Sequence, residues 1–113
     1  MVPTKTSREI PNSMMAKVLR RHGFGCTRVP HKYTIHNERY GTIEVTLERD
    51  EKKPWLTIAR VRVKESNREF MFNSAKKLNA FLSRIEQNTQ LYGFSALPEE
   101  YLAKELERIM KNV

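Results

Sequence analysis

TIEVTLERDEKKPWLTIARVRVK, residues 42–64, consists of two alternating runs around a polar turn. In the first, Ile43, Val45 and Leu47 fall on one face and Thr42, Glu44, Thr46 and Glu48 on the other. A period of two is the mark of a strand with one buried face. In the second, Trp55, Thr57, Ala59, Val61 and Val63 face one way and Arg60, Arg62 and Lys64 the other. The intervening Asp50-Glu51-Lys52-Lys53-Pro54 is rich in turn formers, so the two runs predict a hairpin and the sheet at its centre.

Working outward, Tyr33 and Ile35 share a face before the turn Asn37-Glu38-Arg39-Tyr40-Gly41, and Phe70 and Phe72 alternate after Glu65-Ser66-Asn67. Strands are therefore expected over 31–36, 42–49, 55–64 and 68–72, as a four-stranded antiparallel meander. Upstream, Met14, Met15, Val18 and Leu19 recur at helical spacing, with Asn12 or Ser13 as cap and Gly23 as a left-handed stop, which predicts a helix over 13–22. Gly23 to Pro30 reads as a loop. Downstream, Leu78, Phe81, Leu82 and Ile85 form one apolar stripe and predict a helix over 75–90. Beyond the loop Tyr92-Gly93-Phe94-Ser95, Pro98 with Glu99 and Glu100 opens a helix over 98–111 whose Leu102, Leu106 and Ile109 face inward. The class is α+β: a helix, a four-stranded antiparallel meander and two C-terminal helices packed on one face of the sheet. Residues 1–11 hold two prolines and no period and read as a flexible N-terminal arm; residues 12–113 read as a single domain.

With 113 residues and 39% apolar side chains, one modest core is expected. No apolar run approaches the roughly 20 residues of a membrane span, and the N-terminal stretch has no apolar core of a secretory leader. A cytoplasmic protein without membrane partners is the expectation. The single cysteine, Cys26, has no intramolecular disulfide partner, in keeping with a reducing compartment.

Charge is the most informative functional signal. Between Ile10 and Asn37 the chain carries Lys17, Arg20, Arg21, Arg28 and Lys32 and no acid, which supplies +5 of the formal +8. From Lys52 to Arg84 nine Lys and Arg face only Glu65 and Glu69, a net of +7, whereas Ile85 to Val113 is net −2. Segregated positive charge without interleaved carboxylates favours an external polyanion, so nucleic acid, RNA or DNA, is the leading partner. Arg20, Arg21, Arg28, Lys32, Arg60, Arg62, Lys64, Lys76 and Lys77 are the candidate contacts. Arg20 and Arg21 also suit the negative end of their helix. A five-residue turn at 50–54 sets Glu44 across from Arg60, a pairing that competes with the binding role. Lys76 and Lys77 follow a helix start, where free backbone N–H groups attract phosphate. Trp55, Phe70 and Phe72 fall on the core face, leaving Tyr40, beside Arg39 at a turn tip, as the ring expected in solvent. Phosphate contact is therefore favoured over base readout. The alternative partner is an acidic protein surface, as for an accessory or inhibitor protein of a phage or other mobile element.

The three histidines, His22, His31 and His36, invite a metal or catalytic reading. Cys26 lies near two of them, but no CxxC or HxxxH spacing accompanies it, and no carboxylate adjoins them in sequence to orient a general base. No metal, cofactor or catalysis is expected. Leu19-Arg20-Arg21-His22-Gly23-Phe24, then Arg28, then His31 entering a strand, resembles the start of the HicA-type mRNA interferase toxins, in which a first helix ending in Gly-Phe leads through an arginine to a catalytic histidine. That resemblance implies His31 as general acid or base. The family's Gly-Ser before the histidine is replaced by Val29-Pro30, His31 comes two positions early, and the chain runs past the family's usual end. The order helix, strands, helix is also similar to double-stranded-RNA-binding domains, with Lys76 and Lys77 where that family keeps a basic cluster, though its loop signatures are missing.

Overall fold

The computed structural model describes residues 14–28, 31–92 and 98–113. The expected arm over 1–11, the cap at Asn12 or Ser13 and most of the 92–95 loop lie outside them. The order is α1 (Met14–Arg21), β1 (Gly25–Cys26), β2 (Lys32–Asn37), β3 (Gly41–Arg49), β4 (Thr57–Val63), β5 (Arg68–Phe72), α2 (Ala75–Tyr92) and α3 (Glu99–Lys111). The class is α+β, with one antiparallel sheet in the order β1-β2-β3-β4-β5. Among the described residues it has five strands, not the four expected.

The additional strand follows from how α1 stops. Phe24 N–H donates to the Leu19 carbonyl and Gly23 N–H to the Arg20 carbonyl, both at 3.0 Å, with Gly23 at φ 87°. This left-handed closure reverses the chain. Gly25 then lies opposite Thr34 and Cys26 opposite Tyr33. Two residues carry no period, so the segment reads as loop in sequence.

The alternation of the central strands decides which side is core. Ile43, Val45 and Leu47 of β3, Ala59, Val61 and Val63 of β4 and Phe72 of β5 are buried in one cluster with Leu19 of α1, Leu78, Phe81, Leu82 and Ile85 of α2, and Leu102, Leu106 and Ile109 of α3. Phe81 sits between the sheet rings, 5.5 Å from Phe70 and 5.2 Å from Phe72 by centroid. On the other face Arg62, Lys64, Glu69 and Met71 are exposed.

Two aromatic placements are reversed relative to expectation. β4, expected as the third strand from residue 55, begins at Thr57, and Trp55 is 73% exposed. Leu56 N–H donates to the Lys53 carbonyl at 2.8 Å, so Lys53-Pro54-Trp55-Leu56 is a β-turn with proline at its second position. The turn holds Trp55 outside the strand, so its ring never joins the core face. Tyr40, expected in solvent, is fully buried. Asn37 Oδ1 accepts from Arg39 N–H at 2.8 Å and Tyr40 N–H at 2.9 Å, while Gly41 adopts φ 91°; this tight turn folds the phenol under the helices. The left-handed φ is what demands glycine at position 41; a β-carbon there would also push aside the exposed Glu65 side chain, whose Oε1 accepts from Thr42 N–H at 2.8 Å.

The hairpin register is also shifted. Glu44 lies opposite Arg62, and Thr46 opposite Arg60. The connection runs from 50 to 56 rather than 50 to 54, and a shift of two residues changes every cross-strand partner while leaving each side chain on its expected face.

Candidate nucleic-acid interface

The open sheet face does not present a bare cationic row. Arg60 Nη2 donates to Glu48 Oε1 at 2.8 Å and its Nη1 to Glu69 Oε1 at 3.4 Å. The hydrogen bond to Glu48 is the main reason the Arg60 guanidinium holds its proton above its ordinary range. Arg62 stands in register between Glu44 and Glu69, and Lys32 Nζ lies 3.6 Å from Glu44. Such exposed pairs contribute little to stability. They nevertheless offset the field that Arg60 would offer to phosphate, while Arg62 has Glu44 and Glu69 beside it only in register, and Glu44 is paired with Lys32 rather than with Arg60.

Arg20 and Arg21 occupy the last turn of α1 and are exposed. Arg20 faces Tyr33, whose phenol burial pushes up, with Cys26 adding to the shift and the Arg20 charge opposing it. The next residue, His22, is tied down: Nδ1 lies 3.0 Å from Glu86 Oε2 and Nε2 2.8 Å from Asn79 Oδ1. Sequence proximity offered this histidine no carboxylate, yet α2 supplies one from 64 residues away. The imidazole is 8% exposed and bridges α1 to α2, a structural position. His31 takes a left-handed φ of 65° at the entry to β2, where its carbonyl accepts from Leu47 N–H at 2.8 Å. Among the described residues no group of three His, Cys, Asp or Glu converges as a metal site would need, and no helix is long and apolar enough to cross a membrane.

What the fold does gather is one end of the sheet. In the antiparallel order, the start of β2, the end of β3, the start of β4 and the end of β5 share an edge: Lys32 pairs with Thr46, Arg49 with Thr57 and Ala59 with Phe72. Thr27, Arg28 and His31 between β1 and β2, the β3–β4 turn and the start of α2 therefore emerge together. They bring Arg28, Lys32, Arg49, Lys52, Lys53, Lys76 and Lys77 to one end of the molecule, with Asp50 and Glu51 in the turn itself, Glu44 beside Lys32 and Glu48 next to Arg49. Asp50 is committed to the turn itself, its Oδ1 accepting from Lys52 N–H at 2.8 Å and Lys53 N–H at 3.3 Å. Arg49 Nη1 donates to the Pro54 carbonyl at 2.9 Å, bracing the same turn. Trp55 stands at its apex, exposed, between Lys53 and the sheet.

Of the residues read from sequence, Arg28, Lys32, Lys76 and Lys77 belong to this end. Arg60 and Arg62 lie on the charge-balanced face, Lys64 at the opposite end of β4, and Arg20 and Arg21 on α1. Sequence reasoning missed Arg49, Lys52, Lys53 and Trp55 as members of this surface; the signal for Trp55 was the Lys-Pro-Trp turn. Comparison with known protein families, curated proteins and solved structures finds no match to this chain.

Proposed function

We propose that this protein is a non-catalytic nucleic-acid-binding module that holds the phosphate backbone with the basic end of its sheet and stacks Trp55 on an unpaired base. The observation that carries the reading is an exposed tryptophan at a sheet end where seven cations outnumber four acids, of which Asp50 is committed to its own turn, Glu44 to Lys32 and Glu48 to Arg60. Lysines and arginines supply sequence-independent attraction, and an exposed indole stacks on any base at about 1–3 kcal/mol per base. A ring and cations on one braced hairpin suit a single strand or a strand end, whose bases are open to stacking.

The chain has one tryptophan, so its fluorescence reports the contact directly. Titration with single-stranded and duplex RNA and DNA at two salt concentrations should quench Trp55 with single strands and weaken steeply with salt. Lys52→Glu with Lys53→Glu, and Lys76→Glu with Lys77→Glu, should each weaken binding across sequences and flatten the salt slope by about 0.7–0.9 for each phosphate no longer neutralised. Arg60→Glu with Arg62→Glu should do less, because Glu44, Glu48 and Glu69 already offset those charges. Absence of binding to all four polymers at low salt would overturn the reading and leave an acidic protein surface as the partner to seek.

A further inference from the structure

A second cationic site lies at the opposite end of the sheet, in a groove of about 410 Å3 between α2 and α3. Its floor is Arg39 with Glu105, and its walls are Arg84 and Asn88 from α2 and Arg108 and Asn112 from α3. Arg39 grips Glu105 as a side-on fork, Nε at 3.2 Å from Oε1 and Nη2 at 2.5 Å from Oε2. Burial pushes the Glu105 carboxyl up, but hydrogen bonds from Arg39 and Tyr40 and the charges of Arg39 and Arg108 outweigh it and hold the group below its ordinary range. The floor is thus a closed ion pair. The walls are not: the Arg84 guanidinium makes no hydrogen bond or ion pair among the described residues, and Arg108 acts on Glu105 through charge alone. Past Arg39 and Arg108 the surface opens into a second depression, of about 500 Å3, bordered by Lys104 and by Tyr101, which is 54% exposed.

We propose that this groove binds a small phosphorylated ligand, its phosphate clasped between Arg84 and Arg108 and the rest of the molecule extending over Arg39 toward Tyr101. The class follows from charge and geometry. Arg39, Arg84, Lys104 and Arg108 line the two depressions against the single carboxylate of Glu105, which leaves the site net positive among the described residues, and a phosphate monoester is close to a dianion at neutral pH. Guanidinium forks approaching from two different helices suit an anion with three terminal oxygens, whereas a carboxylate saturates one fork. The groove volume lies within the range of small-molecule sites, about 300–1,000 Å3. An exposed phenol in the adjoining depression offers a face for a planar group. The site is separate from the basic sheet end and does not depend on the nucleic-acid reading.

Isothermal titration of the full chain with inorganic phosphate, AMP and adenosine tests it. AMP should bind, phosphate more weakly, and adenosine not measurably. Arg84→Ala and Arg108→Ala should each raise the AMP dissociation constant roughly tenfold. Both side chains are exposed, and a circular-dichroism spectrum and melting curve like those of the parent protein establish that the variants fold. Lys76→Glu with Lys77→Glu, at the other end, should leave AMP affinity within about twofold, because an exposed charge more than a Debye length away is largely screened. No binding of AMP or phosphate, adenosine binding as tightly as AMP, or AMP affinity unchanged in the Arg84→Ala, Arg108→Ala double variant would each overturn the proposal. Loss of AMP binding in the Lys76, Lys77 variant alone would overturn it as well, by moving the anion to the sheet end.

Discussion

Tyr40 Oη donates a 2.7 Å hydrogen bond to Glu105 Oε1, joining the β2–β3 turn to α3 across 65 residues of chain. Asn88 Nδ2 of α2 donates to the same phenol at 3.2 Å, and Arg39 grips the same carboxylate, so one buried cluster docks both C-terminal helices onto one turn.

Removing the phenolic hydroxyl in Tyr40→Phe should destabilise the protein by about 1–2 kcal/mol in urea, since Asn88 loses its acceptor and Glu105 one donor. Glu105→Gln should cost more at pH 7, about 2–3 kcal/mol, because Arg39 is left buried without its counter-charge. The Glu105 carboxyl is held below its ordinary range in the folded state. Its contribution is therefore present above the unfolded-state value near 4.5 and is lost as pH falls through the lower folded value. The stability gap between the parent protein and Glu105→Gln should shrink on acidification below that point; a gap constant down to acid unfolding would contradict the assignment.

Burial pushes the Tyr40 phenol up to about 12, the hydrogen bond from Asn88 opposing the shift and Glu105 adding to it. A raised value means the neutral phenol is favoured in the folded protein. That stabilisation is complete below about pH 10, the unfolded-state value, and is lost as pH rises through the folded one. In a spectrophotometric titration Tyr40 should ionise last of the four tyrosines, and Tyr40→Phe should delete that final step.

Trp55 should emit near the wavelength of indole in water and be quenched freely by iodide, and Trp55→Ala should change stability by less than about 0.5 kcal/mol. Phe81→Ala should cost about 3–5 kcal/mol, because the ring is fully buried against Phe70 and Phe72. A blue-shifted, shielded tryptophan would restore β4 to its expected start at 55.

Gly41→Ala should destabilise by about 1–3 kcal/mol, combining the left-handed φ with collision against Glu65. Gly25→Ala is the control, since its added carbon meets nothing within 4 Å and should be close to neutral. Equal effects at the two positions in thermal melts would argue against the turn geometry.

Period and punctuation are local properties, and they were legible. The alternation of Ile43, Val45 and Leu47 with Thr42, Glu44, Thr46 and Glu48, the stripe Leu78, Phe81, Leu82 and Ile85, and the stop at Gly23 each depend on residues within a few positions of one another, so the chain itself determines its helices, its central strands and which face of each is apolar. The excess of Lys and Arg is likewise written in the composition. Only the tertiary structure decided partners. Glu44 lies opposite Arg62 rather than Arg60, and pairs with Lys32, because the turn is two residues longer than its polar pentapeptide suggests. Tyr40 is buried because α2 and α3 bring Asn88 and Glu105 to its hydroxyl, and Trp55 is exposed because Pro54 turns the chain before the sheet can take it. Arg28, Lys52 and Lys76 share an end, and Arg39, Arg84 and Arg108 a groove, only after an antiparallel meander and two C-terminal helices have placed distant segments side by side. Charge acts through space, over distances that chain position does not record.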